Sequence, residues 1–86
     1  SQFNRAIRFI NLPEQCTIRI YSLSGQLVRT LRKTDATNSV YTWDVETENG
    51  LPVASGVYVY HIAAPGVGST YGRLVVFMEK ERLNTY

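Results

Sequence analysis

The sequence has little of what a catalytic or metal-binding protein needs. Its 86 residues include one cysteine, Cys16, and one histidine, His61. A single thiol cannot form a disulfide within the chain, and one cysteine with one histidine is too few for a transition-metal site. Stability must then come from packing, and a chain this short needs nearly all its apolar residues for one core. We therefore expect no enzymatic activity and no cofactor.

Charge and apolar runs argue against two further classes. Nine basic and seven acidic residues give a net charge of +2, with the basic residues spread from Arg5 to Arg82. Proteins that bind nucleic acids usually concentrate positive charge on one surface, so nucleic acids are not expected partners. The longest apolar stretches are strand-sized, far below the roughly 18 residues of a membrane-spanning helix, so no membrane span is expected. The start, Ser1-Gln2-Phe3-Asn4, lacks an initiator methionine and a signal segment, which suggests a segment of a longer protein.

What the sequence does contain is alternation. Apolar residues recur with a period near two, and turn-forming residues divide the chain into strand-length segments. This rhythm is typical of a β-sandwich or a small barrel. We expect one domain over residues 1–78 and a charged tail over residues 79–86. The predicted strands are residues 6–11, 16–21, 26–33, 40–45, 57–63 and 70–78.

The third predicted strand is irregular. Leu27 and Leu31 alternate, but Val28 is apolar as well, which indicates a β-bulge or an edge strand. Its three basic residues fit a solvated edge, where charge discourages pairing with another chain; they are Arg29, Arg32 and Lys33.

The fifth and sixth predicted strands have contrasting faces. The fifth is apolar on both faces except at His61, as expected of a central strand, with Tyr58, Tyr60 and Ile62 on one side. The sixth places Leu74, Val76 and Met78 on one face, and its other face carries Tyr71, Arg73, Val75 and Phe77. In the fourth, Trp43 shares a face with Tyr41 and Val45, and we expect it to anchor the core.

Few residues could take part in catalysis, metal binding or sugar binding. A catalytic triad would have to use Cys16, His61 and Asp44, but the strand pattern turns Cys16 toward the core and His61 away from it. Residues 44–50 carry alternate acidic residues before Asn49-Gly50, faintly like a calcium loop, although Ser55 stands where a bidentate carboxylate is needed. The two alternatives for this loop are a calcium site and a solvated hairpin loop. Sugar binding by exposed tyrosines is a further alternative, with the candidates Tyr21, Tyr41, Tyr60, Tyr71 and Tyr86.

Several segments resemble a family of bacterial carboxy-terminal modules. Residues 16–31, CTIRIYSLSGQLVRTL, are similar to the family hairpin IRIYxLxGxLVRTL. Further matches follow in the family's order: Trp43-Asp44, Asn49-Gly50, residues 53–60 (VASGVYVY) and residues 72–76 (GRLVV). The resemblance spans roughly residues 7–78. The family comprises immunoglobulin-like modules related to the flagellar hook-capping protein and the carboxy-terminal sorting domains of type IX secretion substrates.

The resemblance implies a fold and a role. The fold is an all-β, immunoglobulin-like (fibronectin III-like) antiparallel β-sandwich of six to eight strands without enzymatic activity. The role is that of a carboxy-terminal module of a larger secreted bacterial protein, which sorts its cargo for type IX secretion and attachment at the cell surface. The implied partner is the outer-membrane secretion machinery. The alternatives are a structural or adhesion module packing on a neighbouring domain of the same polypeptide, and a carbohydrate-binding module.

Overall fold

The computed structural model describes residues 6–77. These residues form six strands in two antiparallel sheets, which confirms the predicted all-β sandwich. One sheet pairs β1 with β4, and the other has the order β3-β2-β5-β6. Met78 and the predicted tail, residues 79–86, lie outside the described residues. The strands are β1 (Ile7–Phe9), β2 (Cys16–Ser22), β3 (Leu27–Lys33), β4 (Tyr41–Trp43), β5 (Gly56–Ala64) and β6 (Gly68–Val76).

The four-stranded sheet follows from local turns. Gly25 N–H donates to the Ser22 carbonyl at 2.9 Å and closes the predicted hairpin between β2 and β3. Val67 N–H donates to the Ala64 carbonyl at 3.0 Å in the turn from β5 to β6. β5 pairs with β2 on one side and β6 on the other, so it is the central strand that its apolar composition predicted.

The core lies between the two sheets and is built from alternating positions. Ile18 and Ile20 of β2 and Trp43 of β4 are fully buried. Trp43 also satisfies its polar atom, since Nε1–H donates to the Glu46 carbonyl at 3.1 Å. The expected core role of Trp43 is confirmed. The other buried apolar residues are Phe9, Leu12, Cys16, Leu31, Val45, Val53, Tyr58, Ala64 and Val76.

A glycine opposite a tyrosine helps to join the sheets. Gly72 of β6 pairs with Tyr60 of β5, and a Cβ atom at Gly72 would overlap the Cζ and Oη atoms of the Tyr60 ring. The missing side chain lets this ring lie over β6. The ring then meets Phe9 of β1 edge-on, with centroids 5.2 Å apart. Gly72 is therefore needed for a contact between the layers.

β3 is both an edge strand and bulged, as predicted. Ile20 of β2 pairs with Arg29, whereas the next residue, Tyr21, pairs with Leu27, so Val28 is the extra residue. The prediction of a solvated row of bases was wrong for two of the three. Arg29 lies on the inner side beside Ile20, where it reaches residues 44–48, and Lys33 is only 3% exposed. Arg32 alone is solvated.

Lys33 is buried because backbone carbonyls replace its hydration. Its Nζ atom donates to the carbonyl oxygens of Pro13 at 2.9 Å, Glu14 at 3.1 Å and Asp35 at 2.6 Å. These acceptors come from the loops on either side of the β2–β3 hairpin. The ammonium group thus ties both loops to the end of β3.

Two predicted strands are shorter than expected. The first pairs only over Ile7–Phe9, and Asn11 then turns with φ of 58°. The fourth ends at Trp43, and Val45, which has φ of 63°, still packs into the core beyond the strand. In the following loop, Gly50 N–H donates to the Thr47 carbonyl at 3.0 Å, and Gly50 has φ of 82°. Its neighbour Asn49 has no positive φ, so Gly50 alone of this Asn-Gly pair is left-handed.

Candidate functional site

The residues that a catalytic triad would need lie apart. Cys16 is buried on the inner face of the four-stranded sheet, whereas His61 lies on the outer face, where its ring stacks against Tyr71 at 4.5 Å. Asp44 accepts a hydrogen bond from Arg29 and has no histidine partner. Burial raises the pKa of the Cys16 thiol, an effect that the nearby charge of Lys33 partly offsets. Cys16 therefore has the surroundings of an inert core residue.

The buried thiol predicts a pH dependence of stability. The folded domain keeps the Cys16 proton to a higher pH than the unfolded chain does. The contribution of the protonated Cys16 thiol to the free energy of unfolding is therefore complete below the ordinary thiol pKa of about 8.5. It is lost as pH rises through the higher pKa of the folded state. We expect thermal melts between neutral and alkaline pH to show a steeper fall in stability for the wild type than for Cys16→Ala. Equal slopes would contradict this assignment.

The acidic loop, residues 44–50, is organised by Arg29. Its Nη1 atom donates to Asp44 Oδ1 at 3.1 Å and to the carbonyl oxygens of Glu46 at 2.8 Å and Thr47 at 3.3 Å. The carboxylates of Asp44 and Glu48, two of the three acidic side chains of this loop, therefore already face a guanidinium. Among the described residues, no three histidine, cysteine or acidic side chains are grouped to hold a metal ion. The geometry does not favour the calcium hypothesis.

The tyrosines do not form a common platform for sugars. Tyr60 faces the core, and Tyr41 packs against the core from the smaller sheet. Tyr21 and Tyr71 both lie on the outer face but belong to strands separated by β5. Tyr86 lies outside the described residues. An open depression at the β5–β6 turn is lined by Thr17, Arg19, residues 63–68 and Ser69, none of which is a carboxylate or an aromatic.

The two edges of the four-stranded sheet differ. Loop 44–50 covers the β3 edge, where Glu48 Oε2 accepts the backbone N–H of Thr30 at 2.6 Å. The β6 edge, by contrast, pairs with no strand within residues 6–77. An unpaired edge presents free N–H and C=O groups to any extended segment that approaches. As far as the structure describes the chain, the sheet thus has one covered edge, at β3, and one open edge, at β6.

Large side chains stand beside the open edge. Tyr71 is 70% exposed, Val75 53% and Phe77 76%, on the face that the alternation of the sixth strand predicted. What the sequence did not predict is that, among residues 6–77, β3 is covered and β6 is not. The only signal for it was the acidic loop itself, interpreted as a solvated or calcium-binding segment. In the described part of the chain, no helix is long and apolar enough to cross a membrane.

Comparisons with known proteins agree with this architecture. The family model described as "Secretion system C-terminal sorting domain" matches residues 4–77. No curated protein sequence matches the chain significantly. Among solved structures, the chain is similar to part of PorZ, a surface component of the type-IX secretion system of Porphyromonas gingivalis, with a TM-score of 0.60 and 20% identity. The match covers 91% of this chain and 12% of the PorZ chain, and at this identity it supports the fold alone.

Proposed function

Because the chain belongs to the family of carboxy-terminal sorting domains of type IX secretion substrates, we propose that residues 1–78 form a non-catalytic handle recognised by the outer-membrane secretion machinery. The family belongs to secreted and cell-surface bacterial proteins, and its members interact with the secretion machinery. The finer proposal concerns which part of the machinery binds and how. The protein to which the handle is attached is the cargo.

The open edge of β6 is the observation that carries this proposal. Machinery that exports varied cargo must recognise something that all its substrates share, and a strand edge is a shape rather than a particular side chain. Extended segments add to such edges through backbone hydrogen bonds, with alternate side chains providing selectivity. The covered edge at β3 would direct this addition to β6.

The non-catalytic role rests on the separation of reactive groups. Cys16 and His61 lie on opposite faces of one sheet, and Asp44 is held by Arg29. A nucleophile needs a base within hydrogen-bond reach, and the pattern of this sheet separates the two. A domain that is only bound by the secretion machinery needs no nucleophile and no base.

A second candidate is a module that packs on a neighbouring domain. The exposed side chains of Val75 and Phe77 favour it, since apolar surface of this kind is often covered by a partner. Such a module would stabilise its neighbour but would not determine where the protein goes. Export therefore distinguishes the two candidates.

The test is export of a reporter. Residues 1–86 are fused to the carboxy terminus of a fluorescent protein that carries a signal peptide, and the fusion is produced in a type IX-competent bacterium. We expect the reporter at the cell surface or in the medium, and in the periplasm of a matched strain that lacks the type IX machinery. Retention in the periplasm of the competent strain would contradict the sorting role and leave the packing role.

A further inference from the structure

The charged residues in the strands of the four-stranded sheet are all basic. Its strands contain five basic residues and no aspartate or glutamate; the five are Arg19, Arg29, Arg32, Lys33 and Arg73. All acidic residues of the described part lie outside these strands, in the loops at residues 14, 35, 44, 46 and 48. Two of the five cations are neutralised or solvated internally, Arg29 by Asp44 and Lys33 by backbone carbonyls. The other three, Arg19, Arg32 and Arg73, are therefore the charges that this sheet presents at its surface.

These three arginines share the outer face. Arg32 pairs with Thr17, and Arg19 pairs with His61, in rows whose neighbours on β2 are the buried Ile18 and Ile20. Arg73 lies two strands from β2, across β5, at a distance of about 10 Å. Within residues 6–77, none of the three forms an ion pair. In this part of the chain, the outer face is thus positive without a compensating carboxylate.

Apolar groups adjoin Arg73 on the same strand. Val75 pairs with Val57, which is 36% exposed, and Tyr71 pairs with His61. Side chains alternate along a strand, so Tyr71, Arg73 and Val75 form the outward row of β6. A strand added to this edge would bring every second side chain beside that row, at the spacing of cross-strand neighbours.

We propose that β6 accepts an extended protein segment of the secretion machinery with an acidic residue opposite Arg73 and an apolar residue opposite Val75. The inference rests on the proposed function and names the chemistry of the partner. The carboxylate would compensate a charge that residues 6–77 leave unpaired, while the apolar residue would cover Val75. A polysaccharide is a weaker fit, since it cannot continue the backbone hydrogen bonds of an open strand edge.

Charge reversal on a matched pair of residues tests the inference. Arg73→Glu places a carboxylate on the outer face, and Arg8→Glu makes the same change of net charge on β1, where Arg8 is also exposed. In the reporter fusion we expect Arg73→Glu to reduce export by at least about tenfold, because like charges would meet at the contact. We expect Arg8→Glu to export at the wild-type level and Arg73→Lys to retain most export. Melting temperatures of the purified domains establish that each variant folds.

The outcomes distinguish the two claims. Failure of the wild-type fusion to be exported would overturn the proposed function itself. Normal export of the wild type and of folded Arg73→Glu would overturn only the inference, as would an equal loss from Arg8→Glu.

Photo-crosslinking identifies the partner's chemistry. Val75 is replaced by p-benzoylphenylalanine in the exported fusion, and the exposed Thr42 of β4 serves as the matched control position. We expect light to join position 75, and not position 42, to a protein segment that contains acidic residues. The product should be lost in the Arg73→Glu background. Crosslinks to polysaccharide, to a second copy of the chain, or to a segment without carboxylates would overturn the inference.

Discussion

Replacing Trp43 by alanine is expected to destabilise the folded domain by about 3–5 kcal/mol. The indole is fully buried between the two sheets, and its Nε1–H donates to the Glu46 carbonyl at 3.1 Å. Truncation leaves a large cavity and removes one of the two donors to that carbonyl, the other being Arg29 Nη1. Small domains are commonly stable by only about 5 to 15 kcal/mol, so much of the margin would be lost.

Chemical denaturation at equilibrium measures this loss. The purified wild type, Trp43→Ala and Trp43→Phe are compared, with circular dichroism as the signal because the variants lack the indole fluorophore. Trp43→Phe keeps most of the apolar volume and should fall between the other two. A Trp43→Ala variant as stable as the wild type would show that the sheets do not close on this residue.

Replacing Lys33 by methionine is expected to cost about 3 kcal/mol, the upper end for hydrogen bonds made by a charged donor. Methionine keeps an unbranched side chain as far as the ε position but has no ammonium group to donate. The carbonyl oxygens of Pro13, Glu14 and Asp35 would lose their common donor. This differs from replacing a whole ion pair with apolar groups, because the three acceptors remain in place.

The adjacent residue provides the control. Arg32 lies next to Lys33 on β3 but is exposed, so Arg32→Met removes the same charge with an expected change within about 0.5 kcal/mol. Denaturation midpoints of the two variants should therefore differ clearly. Equal stability of Lys33→Met and Arg32→Met would show that the three carbonyls find water as readily as the ammonium group.

The strands and their faces could be predicted because they depend on local alternation. β2 follows its pattern from Cys16 to Ile20, with every second residue buried. β5 was identified as central because both of its faces are apolar, and the bulge at Val28 because two apolar residues stand together. In each case, one strand's own residues contained the information.

The burial of Lys33 and the position of Arg29 could not be predicted in this way. Lys33 is separated from two of its three acceptors by 20 and 19 residues, and Arg29 from Asp44 by 15. A lysine in a strand is ordinarily solvated, and only the approach of two loops reverses that expectation. The sequence pattern carries no record of where those loops pass.

The candidate site was half predictable for the same reason. The alternation of apolar and polar residues predicted that Tyr71, Arg73, Val75 and Phe77 share one face. All four are exposed in the structure. β3 is the covered edge because the Thr30 backbone N–H donates a hydrogen bond to the Glu48 carboxylate, 18 residues away. This leaves β6 as the open edge of the described sheet. The export role, in turn, was indicated by the family resemblance and not by any reactive group.

Hydrogen exchange can show whether the secretion machinery binds the folded module along β6. Amide exchange of the purified wild-type domain is followed by mass spectrometry, with and without solubilised outer-membrane complexes from a type IX-competent bacterium. We expect added protection over Gly68–Val76 and little change over Leu27–Lys33. Protection confined to Leu27–Lys33, or binding that leaves Gly68–Val76 exchanging as in the free domain, would contradict this expectation.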